Sequence, residues 1–148
     1  MWTRLAKAAE ALMVVPAIAT YYFIDSKFVS IRSTTGSSMF PTIEENSIII
    51  VDKFFYRLST PKFQVGDIVL ATQPTNPQTH ICKRVIQTAN SRLPSHEHLV
   101  IPEGSLWLEG DNKKASYDSR HHGCVPEHLV EGKVIFIWSV WKWGVNII

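Results

Sequence analysis

Ser38 lies in the run Thr35-Gly-Ser-Ser-Met-Phe-Pro-Thr42, between two apolar stretches. Gly36 permits backbone angles that other residues avoid, and Pro41 biases Phe40 toward an extended form. Such a loop can present a small hydroxyl at a fixed place. A hydroxyl is a weak nucleophile until a neighbouring base takes its proton. The run His80-Ile-Cys-Lys-Arg-Val-Ile86 supplies a candidate base. In a strand alternate residues share a face, so Lys83 projects with Ile81 and Val85 and away from Arg84. Desolvation beside two β-branched aliphatics favours the neutral amine and lowers the lysine pKa. A neutral amine next to a hydroxyl is a Ser-Lys dyad, one variant of triad chemistry. A third run, Glu109-Gly-Asp-Asn-Lys-Lys-Ala-Ser-Tyr-Asp-Ser-Arg-His-His-Gly123, is dense in turn formers and in side chains that bond to backbone. Within it Asp118 and Arg120 can pair and pin the loop, while Ser116 offers a hydroxyl to an amine. Singly, each run also has a plain reading: a loop serine, a lysine snorkelling from a strand edge, a solvated turn.

The elements that must hold these runs read as β-structure. After residue 26 no long stretch shows a helical period. Short β-rich runs recur instead at Phe28–Ile31, Ser47–Phe55, Asp67–Ala71, His80–Ile86, His98–Ile101, Leu106–Leu108 and Val134–Trp138. Breakers separate them, among them Gly66, Pro74-Thr-Asn-Pro77 and Gly110-Asp111-Asn112. Many short strands between turns predict a mainly β domain of sandwich or barrel type, with one helical turn over Pro126–Glu131. The chain has 148 residues, enough for one domain, and its 45% hydrophobic share excludes a disordered protein. Lys+Arg 15 against Asp+Glu 13 is too balanced for a nucleic-acid reader, so no nucleic-acid partner is expected.

The front end differs. Ala11–Ile24 carries no charge, and at about 1.5 Å per residue it falls short of a hydrocarbon core of about 30 Å. Extended back to Trp2 the segment is long enough, provided Arg4 and Lys7 snorkel to the headgroups. Residues 1–26 are therefore expected to form a membrane anchor and residues 27–148 a β-rich domain. A cleaved signal, with Ala17-Ile18-Ala19 as its cleavage site, and an interfacial or core helix are the alternatives.

In combination the runs are specific. The order Gly-x-Ser-Met-x-Pro-Thr, Lys-Arg-Val-Ile, then Gly-Asp-Asn-x3-Ser-x-Asp-Ser-Arg-x2-Gly resembles the type I signal peptidase family, and Gly66-Asp-Ile-Val69 matches a further family block. The resemblance implies a signal-peptidase-like, mainly β fold with one N-terminal transmembrane or membrane-associated helix. It implies Ser38 as nucleophile and Lys83 as general base, with Ser116 orienting the amine. Asp118 and Arg120 would brace the site with Asp111 in the same shell, and Met39 would line the pocket for the small side chain before the scissile bond. No cofactor or metal is implied. Gly36 stands where some members carry a hydroxyl residue that helps the oxyanion hole, which leaves the Ser38 N–H as the main donor. Gln87-Thr-Ala-Asn90 replaces a Gly-Asp turn that often follows the family's Lys-Arg-Val block.

Only about 18 residues separate Ile86 from Ser105, so the large inserted domain of many bacterial members is missing. That compactness, the single anchor and the Asp-Ser-Arg loop resemble the mitochondrial inner membrane peptidase branch, more its subunit 1 type than subunit 2. This implies removal of sorting or leader peptides from precursor proteins at the mitochondrial inner membrane, with the domain facing the intermembrane space and a second peptidase subunit as partner. The competing reading is a non-catalytic membrane assembly subunit of such a complex. Three other readings are weaker. His80-x-Cys82, His96-x-His98 and His121-His122-x-Cys124 do not match a closed zinc spacing. Cys82 and Cys124 form at most one bridge, and packed free thiols are the simpler expectation. Self-cleaving repressors share the dyad, but an apolar segment stands here in place of a DNA-binding helix pair.

Overall fold

A computed structural model describes residues 16, 20, 27–93, 96–139 and 144–147. The strands are β1 (Val29–Ser33), β2 (Ile48–Asp52), β3 (Ile68–Gln73), β4 (Asn76–Gln87), β5 (Arg92–Leu93), β6 (His96–Val100), β7 (Ser105–Glu109), β8 (Val125–Pro126), β9 (Val130–Ser139) and β10 (Gly144–Ile147). One helical turn, α1 (Ser119–His122), lies between β7 and β8. Eight strands form one sheet in the order β1-β2-β9-β3-β4-β7-β8, with β10 also on β9, and β5 pairs with β6 apart from it. All these pairings are antiparallel. The expected domain is thus mainly β, and among the described residues the pairings of its large bulged sheet do not close into a barrel.

β3 explains why the sheet has two interiors. Its run Ile68-Val-Leu-Ala71 is buried throughout, and its side chains divide by alternation. Val69 and Ala71 join a core with Val85, Leu106, Leu108 and Val130. Ile68 and Leu70 join another with Met39, Ile43, Ile49, Val51 and Ile137. Both faces of the central strand are therefore dry. Where β4 pairs with β3, Lys83 sits opposite Val69.

The seven expected strands all fall on observed ones, and their ends differ for physical reasons. β2 stops at Asp52 because its carboxylate accepts hydrogen bonds from the N–H groups of Phe54, Phe55 and Tyr56 at 2.8–2.9 Å. That aspartate turn sends the chain into a 3-10 turn at Phe55–Leu58. β4 starts earlier than expected and includes Pro77, where the pairing jumps from Gln73↔Asn76 to Thr72↔His80. A proline without N–H is tolerated at such an irregularity. The helical turn expected over Pro126–Glu131 contracts to a 3-10 turn at Glu127–Leu129, because β9 claims the chain from Val130.

The expected membrane anchor, residues 1–26, lies outside the described residues apart from positions 16 and 20. Among the described residues no helix is long and apolar enough to cross a membrane. Cys82 and Cys124 are both free, and they pack against different cores.

Candidate active site

The Ser38 loop leaves β1 and returns to β2. Gly36 adopts a φ of 88°, a left-handed angle that suits glycine. Met39 is buried in the core with Ile43 and Ile49 and anchors the loop from below. Asn112 clamps it from the side: its N–H donates to the Ser38 carbonyl at 3.0 Å and its side-chain amide to the Ser37 carbonyl at 3.1 Å. The Ser38 hydroxyl faces β4.

There Lys83 Nζ lies 2.7 Å from Ser38 Oγ. The lysine is only 4% exposed, and among the described residues no carboxylate bonds to it. Burial lowers its pKa, and this outweighs the opposing pull of the Asp118 charge. Cys82, next in sequence, adds no counter-charge at neutral pH, because burial pushes its thiol up to about 12. A hydroxyl in contact with an amine of lowered pKa can pass its proton to that amine once the amine is neutral.

The loop between β7 and α1 closes the site. Asp118 is fully buried and caps α1. Its Oδ2 accepts from Ser116 Oγ at 2.6 Å, from Gly110 N–H at 2.9 Å and from Arg120 Nη2 at 2.9 Å. Its Oδ1 accepts from Arg120 Nε at 2.9 Å and Arg120 N–H at 3.2 Å. Burial raises this carboxyl, but the Arg120, Gly110 and Ser116 donors together hold it well below the usual carboxylate range. Arg120 also donates to the Lys113 carbonyl at 3.0 Å, which ties down the exposed arm of the loop. Ser116, expected to offer its hydroxyl to the amine, donates it here to Asp118. Ser116 and the Ser38 carbonyl crowd the same point beside Gly110, where any added Cβ would collide with both. Only glycine allows β7 to end so close to the serine loop.

Asp111 stands apart from this group. Its carboxylate accepts two bonds from Arg84, at 2.8 and 2.7 Å, and one from Thr42 Oγ1 at 2.5 Å. Arg84 also donates to the Gly66 carbonyl at 2.8 Å. The Arg84 and Thr42 bonds outweigh burial and hold the Asp111 carboxyl below its usual range. This cluster pins the far end of the serine loop to β4.

Ser38, Met39 and Lys83 thus line one cleft, Ser116, Asp118 and Arg120 bond to one another in the closing loop, and Asp111, expected in the same shell, bonds instead to Arg84 and Thr42. The sequence alone marks no role for Arg84, Thr42, Asn112, Gly110 or Ser119, whose hydroxyl accepts from the Leu108 N–H at 3.0 Å. Alternation along β4 puts Arg84 on the face opposite Lys83, but nothing in the sequence pairs it with Asp111. A cleft of about 450 Å³ includes Ser38 in its wall and is lined by residues 32–36 and 78–83 and by Met39, Ile43, Ile49 and Leu70. Among the described residues no group of three or more His, Cys, Asp or Glu side chains is arranged to hold a metal ion.

A serine hydroxyl and a buried lysine, held by a mainly β sheet and a capped acidic loop, match the pattern of one peptidase class. The chain belongs to the signal peptidase family, peptidase S26, whose profile matches residues 6–92 and 87–141. Among its relatives, mitochondrial inner membrane protease subunit 1 of Schizosaccharomyces pombe is 33% identical over 144 residues, 93% of this chain and 91% of that protein. Human mitochondrial inner membrane protease subunit 1 is 38% identical over 121 residues, covering 74% and 70%. Mitochondrial inner membrane protease subunit 2 of Saccharomyces cerevisiae is 31% identical over 148 residues, covering 93% and 82%.

Proposed function

We propose that this chain is a serine endopeptidase of the mitochondrial inner membrane that removes sorting or leader peptides from precursor proteins through a Ser38–Lys83 dyad. The observation that carries the reading is the 2.7 Å contact between Ser38 Oγ and the buried Lys83 amine. Neutral Lys83 takes the proton as Ser38 Oγ attacks the scissile carbonyl carbon, and the Ser38 N–H stabilises the oxyanion. The Lys83 ammonium then protonates the leaving amine, giving an acyl-enzyme and a free amino end. Lys83 next deprotonates a water that attacks the ester, and the acid product leaves with Ser38 restored.

Asp118 supports both halves of the cycle. Its fixed charge favours the transient ammonium, since it is the strongest influence on Lys83 that raises the pKa. Its bonds to Ser116, Gly110 and Arg120 keep that charge in place. Asp111, through Thr42 and Arg84, keeps the nucleophile loop in register with the lysine strand. Ser116 is a positioning residue acting through Asp118. Met39 lines the pocket for a small side chain before the cut.

Residues 1–26 are the membrane anchor and residues 27–148 the peptidase domain, which faces the intermembrane space. Anchoring raises the effective concentration of a substrate held in the same membrane. The substrate lies extended along the cleft beside residues 78–83 of β4, whose partner β7 engages only Arg84–Gln87. The relatives named as subunits 1 and 2 support a hetero-oligomer with a second, homologous chain.

The test is incubation of detergent-solubilised protein, with its partner subunit, with intermembrane-space precursors. Cleavage by the wild type that is absent in Ser38→Ala and Lys83→Ala supports the reading. Retained turnover in either variant eliminates the dyad.

A further inference from the structure

The cleft is asymmetric in charge. Its lining includes the cationic or basic side chains Arg32, His80 and Lys83 and no carboxylate. Lys83 is in contact with Ser38. His80 is already engaged, with Nδ1 2.5 Å from Glu131 Oε1, which also accepts from the Thr72 hydroxyl at 3.3 Å. Arg32 is different. Its guanidinium donates to its own neighbour, the Ile31 carbonyl, at 3.3 Å, and among the described residues it has no carboxylate partner. Register fixes where it points: Arg32 pairs with Ile49, and Ile49 with Ile137, both buried in the core beneath the cleft. Ile31 pairs with Ile50 and takes the outer face. A guanidinium with no carboxylate partner among the described residues, on the inner face of an edge strand, is therefore presented to whatever occupies the cleft.

We propose that Arg32 is a specificity residue that selects a carboxylate side chain in the substrate segment before the scissile bond. The inference rests on the dyad reading above. From Lys83 back to Gln78, at about 3.3 Å per residue, β4 spans roughly 17 Å, which accommodates about five extended substrate residues. Of the lining segment 32–36 that leads to Ser38, Arg32 stands farthest from it along the chain, so a substrate running beside that segment places the acidic side chain about three to five residues before the cut. The planar guanidinium suits a carboxylate bidentately and repels a lysine at the same position.

The experiment uses the full-length Ser38→Ala protein in detergent, which binds without turnover. Fluorescent peptides with a small residue before the cut carry Glu, Gln or Lys at positions two to six before it, and affinities are read by anisotropy. The Glu peptide should bind about tenfold tighter than the Gln peptide at one position between three and five. That preference disappears in Ser38→Ala/Arg32→Gln and turns toward Lys in Ser38→Ala/Arg32→Glu. Equal affinities at every position, or no measurable binding, overturn the proposal, as does a preference that survives Arg32→Gln. Precursor cleavage that persists in the Ser38→Ala protein would instead sink the dyad reading, so the two failures are separable.

Discussion

Lys83 and Arg84 are neighbours on β4 that face opposite ways and meet opposite fates. Arg84 is clasped by Asp111 through two short bonds, and this pairing raises its pKa. Lys83 is as much a cation by type, yet it meets Val69 across the strand and a serine hydroxyl at its tip. Its pKa moves down. A charge with a carboxylate partner becomes structure, and a charge denied one has the lowered pKa that the proposed base role needs. The sheet achieves this by alternation alone, since one step along a strand exchanges one face for the other.

The sharpest way to break that contrast is at Lys83. Lys83→Met should reduce cleavage by at least about a thousandfold. Its melting temperature should be no lower than wild type, because the change removes a polar group from a dry site. Lys83→Arg should be equally inactive, since a guanidinium stays protonated and cannot take the serine proton.

Asp118 comes next. Asp118→Ala strands Arg120 and the Gly110 N–H and should cost about 3 kcal/mol in chemical denaturation. Because the folded carboxyl lies below its unfolded value, its stabilisation is complete above the unfolded carboxylate range and fades as pH falls through the lowered folded pKa. Asp118→Asn tests the charge itself. Asp118 raises the Lys83 pKa, so removing its charge should move the acid limb of the pH–rate profile to lower pH. An unmoved limb would show that the carboxylate does not act on the amine.

On the other face, Arg84→Lys loses the bidentate grip and the Gly66 bond. Both partners are partly exposed, so the stability cost should be about 1 kcal/mol. The loosened serine loop should lower kcat more than it raises KM, by tenfold or so. The smallest effect is expected at Cys82→Ala: with the thiol neutral at working pH, the acid limb should stay where it is.

How far the sequence disclosed this depends on whether the information is local. The strands were readable, because apolar runs between breakers need no knowledge of the rest of the chain. So was the placing of Lys83 with Ile81 and Val85, which alternation dictates. The destination of the Ser116 hydroxyl was not, because Asp118, two residues on, is also the cap of a helical turn hidden in a turn-rich stretch. Asp111–Arg84 and Asn112–Ser38 join residues far apart in sequence, and no periodicity reports such pairs. The anchor expected over residues 1–26 rests on apolar length alone and lies outside the described residues apart from positions 16 and 20.

The central claim is that Lys83 is uncharged and in contact with the nucleophile at working pH. Acylation of Ser38 by a mechanism-based probe, followed against pH in the wild type and in Lys83→Met, reads that claim without any natural substrate. The acylation rate should fall as pH drops, through a midpoint below the ordinary lysine value of about 10.4, and it should vanish in the variant. A rate that does not change with pH, or Ser38 acylation undiminished in Lys83→Met, would contradict the account.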